Sequence, residues 1–405
     1  MIFRGWAPAC LCVAAMLLSN AAKAGVWGMD PTLGLVGDYA SNPALLPFSP
    51  MAATNGAVLL DAPTTYNGDA FEFYIQPSFR LGDSHGYSSV ASDYEHLNLK
   101  AEFDNERGMF TAAAGVARDS SLYQDYLING LTGVRRDTAT ADLNWDRHLS
   151  ERLEFDADVN SQQVRYAEPL GVSTLVDYKY TSAAPTLIWA TSTQNKLTVA
   201  ASVGRYESLN GTTESRSANL QVGFVRQLNE KWSLTATAGY SRSLNRIDTE
   251  EPAFVLTPIG PAIELIPVTV EASQNGTVYL ANLTRQGSRW TLNASASRQL
   301  VPTGFAYLSR QELYEIKATY ALTARWSFGP DARYVKAENP TLSTGVSDYS
   351  VKYVGLNASW LWTEHLTLSM NASRVVEKIQ PPNFNIASNE LTITLSRQFN
   401  HITFR

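Results

Sequence analysis

Apolar and polar residues alternate one by one over much of this chain. From Thr138 to Asp146, alanine, leucine and tryptophan take every second position, with Thr, Asp and Asn between them. A period of two is that of a β-strand, whose successive side chains point to opposite faces. The alternation stops at the polar turn Arg147 to Glu151 and resumes at Leu153. The pattern predicts a β-hairpin with one apolar and one polar face.

The same hairpin recurs along most of the sequence, and no helix-period segment interrupts it. We count a first strand at Phe71 to Arg80, seven hairpins, and a last strand from Leu391 to Phe399. We therefore predict an all-β fold, a transmembrane antiparallel up-and-down β-barrel of about sixteen strands. If Asp30 to Tyr39 also spans, a further hidden strand must restore the even number, and the total becomes eighteen.

Two segments precede the predicted barrel, which takes residues 68–405. Residues 1–24 resemble a secretory signal peptide, because Arg4 precedes a short apolar run and Ala22-Lys23-Ala24 offers a small-residue cleavage site. Within residues 25–67, four prolines follow Tyr39, and proline cannot donate to a strand ladder. We predict that this stretch is irregular and lies in the periplasm or in the lumen. The prolines are Pro43, Pro47, Pro50 and Pro63.

Turn lengths predict the orientation of the barrel. The turns within hairpins are short, whereas the connections between hairpins are long and polar, and bacterial barrels place short turns in the periplasm and long loops outside. Tryptophans lie within a few residues of the short turns, as expected of an aromatic girdle at the periplasmic interface. These are Trp145, Trp189, Trp232, Trp290, Trp326 and Trp362.

Composition and motifs argue against several classes of function. The sequence has 32 Lys and Arg against 38 Asp and Glu, a net charge of −6, and a soluble nucleic-acid binder would usually show the opposite balance. Both cysteines, Cys10 and Cys12, fall within the predicted signal peptide. The histidines form no HExxH motif or close pair, and Ser, Asp and His show no distinctive spacing that would mark a hydrolase. We predict no metal site, no cofactor and no enzymatic activity.

Charged residues on the polar phase of the strands are the candidate functional residues. In a water-filled barrel such side chains line the lumen, where they set ion selectivity and hold hydrated solutes. They could equally well only solvate the lumen. The predicted pore-lining residues are Lys100, Glu102, Asp142, Asp146, Glu154, Asp156, Asp158, Glu315, Lys317, Asp331 and Arg333.

Two features of the sequence resemble a known family. After the leader comes WGMDPTLGLVGDYASNPAL, and the last alternating strand reads LTITLSRQF. With the long two-stranded units between them, these features resemble the β-barrel porin 2-like outer-membrane barrels, which often accompany exopolysaccharide or exosortase gene clusters. Such barrels commonly end on an aromatic residue. Here either Phe399 or Phe404 could be the terminal residue of the assembly signal.

The resemblance implies a porin-like channel in the bacterial outer membrane that exports a polar polymer such as an exopolysaccharide. The implied partners are outer-membrane lipid, the polysaccharide and periplasmic export components. A general diffusion porin for small solutes is the alternative. A third hypothesis is a structural or adhesive barrel acting through the loop Leu244 to Ser273, whose apolar run Phe254 to Val270 could fold inward as a plug or face outward as a partner surface.

Overall fold

The computed structural model describes residues 25–404, apart from 44, 47, 87–92, 121–134, 168–174, 258–259, 305–307, 339–347 and 381–383. The predicted signal peptide lies outside the described residues. The described part of the chain forms strands and the connections between them, without helices. No helix in this part is therefore long and apolar enough to cross a membrane.

Twenty-one strands form a single antiparallel sheet. In chain order, they are β1 (Val26–Met29), β2 (Thr32–Ala40), β3 (Ala53–Asp61), β4 (Thr64–Asn67), β5 (Phe71–Gly86), β6 (Tyr94–Asn105), β7 (Gly108–Ser120), β8 (Arg135–His148), β9 (Leu153–Tyr166), β10 (Tyr178–Ala190), β11 (Asn195–Ser208), β12 (Thr213–Asn229), β13 (Trp232–Thr257), β14 (Gly260–Gln286), β15 (Trp290–Pro302), β16 (Leu308–Ala321), β17 (Trp326–Glu338), β18 (Asp348–Thr363), β19 (Leu366–Gln380), β20 (Phe384–Gln398) and β21 (Ile402–Phe404).

These segments make up a closed barrel of 18 strands. Three of the 18 are interrupted, so that β1 with β2, β3 with β4, and β20 with β21 each act as one barrel strand. The predicted antiparallel barrel is confirmed. The favoured count of sixteen was wrong, and the alternative of eighteen is the correct one.

The two additional strands lie in the stretch that was predicted to be irregular. Residues 26–67 form β1 to β4, and the last barrel strand closes onto β1 and β2 rather than onto the strand at Phe71. The prolines do not prevent this, because Pro31 separates β1 from β2 and Pro63 separates β3 from β4. Proline is tolerated at such breaks, where no ladder hydrogen bond is needed.

A proline inside β5 fits the same rule. One edge of β5 pairs with β4 as far as Ile75 and with β3 from Ser78 onward. Pro77 falls in the gap between these two partners, so its missing N–H costs no ladder bond on that edge. The ladder on that edge of β5 is therefore interrupted at Pro77.

The barrel carries an aromatic girdle at the end with the short turns. Five of the six predicted tryptophans are 37 to 52 % exposed, Trp145 and Trp362 among them. Trp326 stacks on Trp360 with ring centroids 5.1 Å apart, and the Arg285 guanidinium lies 3.2 Å from the ring centroid of Trp290. Aromatic and cationic side chains of this kind anchor a barrel at the membrane interface.

Not every external connection is as long as the sequence predicted. Strand β11 ends at Ser208 and β12 begins at Thr213, so only the four residues 209–212 join them. The strands continue as paired ladders beyond the apolar band. Polar residues occupy both faces there, so the period-two signal fades while backbone pairing persists.

Candidate functional site

The two faces of the barrel wall differ in chemistry. One face carries exposed apolar side chains such as Leu35, Val222 and Val354, which are 57, 61 and 62 % exposed. The other carries polar side chains that are buried, such as Ser241 and Ser243. Because a closed barrel hides one face of its sheet, the polar face lines the lumen and the apolar face meets lipid. The fold and its apolar belt are those of a bacterial outer-membrane β-barrel.

Strand register places all of the predicted pore-lining residues on the lumenal face. Across the ladder, Lys100 stands opposite Ala113, Ala113 opposite Asp142, and Asp142 opposite Asn160. Following the register around the barrel adds the others to the same face. Their effect on permeation stays a prediction. These residues are Lys100, Glu102, Asp142, Asp146, Glu154, Asp156, Asp158, Glu315, Lys317, Asp331 and Arg333.

Four aspartates of β8 and β9 form an acidic patch in the lumen, near the periplasmic turn 149–152. Within this patch Asp146 stands opposite Asp156, and the Asn144 amide donates to Asp156 over 3.3 Å. Among the described residues, no salt bridge reaches any of the four carboxylates. The nearby Lys196 pairs with Glu154 instead, at 3.5 Å. The acidic patch, Asp142, Asp146, Asp156 and Asp158, therefore presents uncompensated negative charge to the lumen.

The opposite wall of the lumen is electrically balanced. Arg333 forms an ion pair with Glu315 at 3.3 Å, and Lys317 stands opposite Asp331 in the ladder. Next to these pairs lies a recess that is lined by uncharged amides and hydroxyls, by Lys317 and by the apolar side chains of Phe328 and Met370. Charge in the lumen is therefore concentrated on the β8–β9 side. The uncharged polar residues of the recess include Ser359, Ser369, Asn357, Asn371, Thr392 and Thr394.

The external end of β15 and β16 folds into the lumen. The carbonyl of Thr303 accepts a hydrogen bond from the Tyr206 hydroxyl at 3.0 Å, and the carbonyl of Gly304 accepts one from the Val176 N–H at 2.7 Å. Leu308 is completely buried in an apolar cluster with residues of β9, β10 and β11. Since β12, β13 and β14 separate these strands in the wall, the contacts cross the lumen. We call residues 302–304 and 308–310 the tuck.

Small side chains make room for the tuck. On the lumenal face of β12 to β14, Ser215, Ser241, Ser243 and Asn245 are at most 1 % exposed although no wall strand covers them. The tuck passes over this surface, and the Arg310 guanidinium lies where a Cβ on Gly276 would stand. The ladder between β14 and β15 ends at the pair Tyr279 and Arg298, so the external end of β15 is free of β14 and can turn inward.

The sequence did not identify the residues that hold the tuck. Tyr166, Tyr178, Tyr206 and Leu308 were all outside the predicted site. A signal was present, because the aromatic residues occupy the lumenal phase at the external ends of their strands, where polar residues were expected. The small residues opposite them are a second signal, since they leave the lumen wide enough for a covering segment.

A second segment also folds inward at the external end. In the connection between β2 and β3, the Asn42 N–H donates to the Ser388 hydroxyl at 3.2 Å, and the Asn42 amide donates to the Leu46 carbonyl at 3.1 Å. Leu45 packs into an apolar cluster on β17 to β20. The lumen is therefore narrowed from two sides near its external mouth.

One carboxylate in that second cluster has no partner. Glu377 is completely buried beside Val351 and Ile386, and neither of its carboxylate oxygens accepts a hydrogen bond from a described residue. Burying a polar group without a hydrogen bond is unfavourable by about 1–3 kcal/mol. The residue is therefore a cost to stability that the apolar cluster around it offsets.

We expect Glu377→Leu to stabilise the barrel by about 1–3 kcal/mol, because it replaces an unpartnered carboxylate by an apolar side chain of similar size. The midpoint temperature at which the folded band disappears in heated gel samples measures the change. Glu390→Leu is the matched control, since Glu390 accepts a hydrogen bond from Ser373 at 3.3 Å. A stabilisation of equal size in the control would contradict the explanation.

The predicted loop from Leu244 to Ser273 is not a loop. Strands β13 and β14 continue through it as a regular hairpin, with Phe254 opposite Ile263 and Thr257 opposite Gly260. The segment is rich in Val, Ile and Thr, which favour strands. Its backbone hydrogen bonds are made within the hairpin, so its apolar run is an extension of the sheet.

Neither the search for metal ligands nor the comparison of sequences assigns the protein to a class more specific than outer-membrane β-barrels. The described residues contain no group of three or more His, Cys, Asp or Glu that could hold a metal ion. No protein-family model matches the sequence. No curated protein matches it either. The resemblance to the β-barrel porin 2-like barrels is therefore supported only as far as the outer-membrane barrel fold.

Solved structures of similar shape are outer-membrane proteins at low sequence identity. Pseudomonas aeruginosa OccK5 (OpdH) is 12% identical, with 92% of this chain and 98% of that chain covered and a TM-score of 0.46. Acinetobacter baumannii OccAB3 is 11% identical, with 93% and 99% covered and a TM-score of 0.45. The ferric-catecholate import receptor Fiu of E. coli K12 is 9% identical, with 92% and 81% covered and a TM-score of 0.47.

Proposed function

We propose that this barrel is an outer-membrane channel for small polar solutes, with a preference for cations. The observation that carries the proposal is the acidic patch on β8 and β9, which faces the lumen without any salt bridge from the described residues. Fixed charges of one sign in a pore attract counter-ions and repel ions of the same sign. The polar lumenal face around the patch supports a water-filled path.

The narrowing at the external mouth supports small solutes over a polymer. The tuck and the residues Asn42 and Leu45 all occupy space inside the wall, where hydrogen bonds and buried apolar clusters hold them. An extended polysaccharide would need a path that stays open along the whole barrel. A small hydrated solute needs only the space that the two segments leave.

Export of a polar polymer is the second candidate function. It is supported by the sequence resemblance and by the recess beside Asn357 and Asn371, whose uncharged amides and hydroxyls suit sugar hydroxyl groups. Polysaccharide and periplasmic export components would then be partners. Deleting the gene distinguishes the candidates, since loss of surface polysaccharide with intact small-solute uptake supports export, and the reverse supports a diffusion channel. A barrel without measurable conductance would support the structural or adhesive hypothesis.

We expect neutralisation of the acidic patch to weaken cation preference. Replacing Asp142, Asp146, Asp156 and Asp158 with Asn should lower the cation-to-anion permeability ratio by about threefold or more, because local ion concentration follows local charge. Reversal potentials in planar bilayers under a salt gradient measure the ratio. Asp248→Asn is the control, since Asp248 lies on the hairpin extension and pairs with Arg246 at 3.5 Å. An unchanged ratio in the fourfold variant would overturn the proposal.

A further inference from the structure

The lipid-facing side of β18 and β19 carries three basic residues close together near the external end. In the ladder, Lys352 stands opposite Val376, which lies between Arg374 and Lys378 on the same face. Both are therefore diagonal neighbours of Lys352, at roughly 7–8 Å between Cα atoms. All three side chains are exposed. We call Lys352, Arg374 and Lys378 the basic triad.

Among the described residues, no carboxylate stands directly opposite a member of the basic triad in the ladder. On the flanking strand β20, the residues opposite Arg374 and Lys378 are Asn389 and Asn385. On β17, Tyr334 stands opposite Lys352. Also on β17, Lys336 forms an ion pair with Glu338 at 2.8 Å, so that carboxylate already has a partner.

Several other basic residues near the external end are paired. On β11 and β12, the Glu214 carboxylate pairs with Arg205 and Arg216, with nitrogen to oxygen distances of 3.1 and 2.8 Å. Arg246 pairs with Asp248 at 3.5 Å. In these three arginines the positive charge is already compensated, in contrast to the triad.

The triad lies where lipid headgroups begin. Directly below Lys352 on the same face come Val354 and Leu356, which are 62 and 53 % exposed and belong to the apolar belt. From Lys352 to Trp362 in the opposite girdle, ten residues of strand rise about 34 Å, which is roughly 26 Å along the membrane normal at a tilt of about 40°. An apolar band of about 25 Å fits between them. The triad is therefore at the external headgroup level.

We infer that the basic triad is a binding site for the phosphate groups of a phosphorylated glycolipid of the lipid A type in the external leaflet. Its charge is complementary to phosphate, its position is at the headgroups, and it continues into the apolar belt that would receive the acyl chains. The asparagines of β20 add amide donors beside it. Each basic residue near an anionic lipid surface contributes about fivefold in affinity.

The test is a titration of the full chain in mild detergent with bis-phosphorylated lipid A, followed by native mass spectrometry. The variant Lys352→Gln, Arg374→Gln, Lys378→Gln should lose on the order of a hundredfold in affinity. The matched control removes three paired charges with Arg205→Gln, Arg216→Gln and Arg246→Gln and should bind nearly as well as the unmodified chain. Gel mobility before and after heating checks that both variants are folded.

Further arms of the titration separate the sources of phosphate. Dephosphorylated lipid A should bind the unmodified chain weakly. Its affinity should be no higher than the affinity of phosphorylated lipid A for the triad variant. Equal affinity of the triad variant and the unmodified chain for phosphorylated lipid A would overturn the inference. Two further results would also overturn the inference. One is that phosphatidylglycerol binds at the triad as tightly as lipid A. The other is that the triad variant loses a dimer without any change in lipid affinity.

Discussion

Removal of β21, Ile402–Phe404, is expected to prevent assembly of the barrel. The strand closes the seam at the periplasmic end, with Trp27, Gly28 and Met29 of β1 opposite its three residues. Without it, the edge of β1 is left unpaired at the membrane rim, where unsatisfied backbone groups cost several kcal/mol each. Even at about 1 kcal/mol for each lost hydrogen bond, the ratio of folded to unfolded barrel should fall at least about tenfold.

The same seam indicates which aromatic residue closes the barrel. Phe404 stacks on Trp27 with ring centroids 6.1 Å apart, whereas Phe399 lies in the break between β20 and β21. Phe404→Ala should therefore reduce the folded band in unheated gel samples strongly, and Phe399→Ala should reduce it little. A larger loss with Phe399→Ala would contradict this role of β21. Equal losses would show that neither ring has a specific part in closure.

The membrane-spanning part of the fold could be predicted because its cause is local. In the stretch from Thr138 to Asp146, each side chain meets either lipid or lumen, so a period of two is imposed on the sequence itself. The short turns and their tryptophans follow from the same boundary between lipid and water. Every hairpin that alternated in this way is present in the barrel.

The interrupted strands could not be recognised from local pattern alone. The segments β1 and β4 have four residues each, too few to display a period. Pro31 and Pro63 stand between strand segments, and in the sequence alone they indicate coil. In the sheet, however, the interruptions of neighbouring strands lie side by side. The register of β5 shows this, since Pro77 faces the break between β3 and β4. That alignment is a property of paired strands and is invisible in any one of them.

The candidate site also has one part that local sequence predicts and one part that depends on contacts between distant residues. The acidic patch was predicted because Asp142 and Asp156 follow the polar phase of their own strands. The tuck was missed because Tyr206 and Thr303 are distant in sequence and meet only through the curvature of the closed wall. Alternation tells which face a residue occupies. It does not tell what crosses the space in front of that face.

Disruption of the tuck is expected to enlarge the pore. In the variant Leu308→Asp a carboxylate would enter the apolar cluster that Leu308 fills, at a cost of several kcal/mol. The hydrogen bonds that the tuck accepts from Tyr206 and Val176 contribute about 1 kcal/mol each. The cost of burial exceeds this restraint, so the tuck should leave the lumen. Single-channel conductance should then rise severalfold.

A milder variant separates opening of the tuck from damage to the wall. Tyr206→Phe removes only the hydroxyl that donates to Thr303 and keeps the aromatic ring in the cluster. It should increase the frequency of brief high-conductance events while the main conductance level stays the same, since one bond of about 1 kcal/mol shifts a closed-to-open equilibrium about fivefold. Unchanged conductance in folded Leu308→Asp would mean that the tuck does not limit permeation, and the narrowing would then have to lie elsewhere in the lumen.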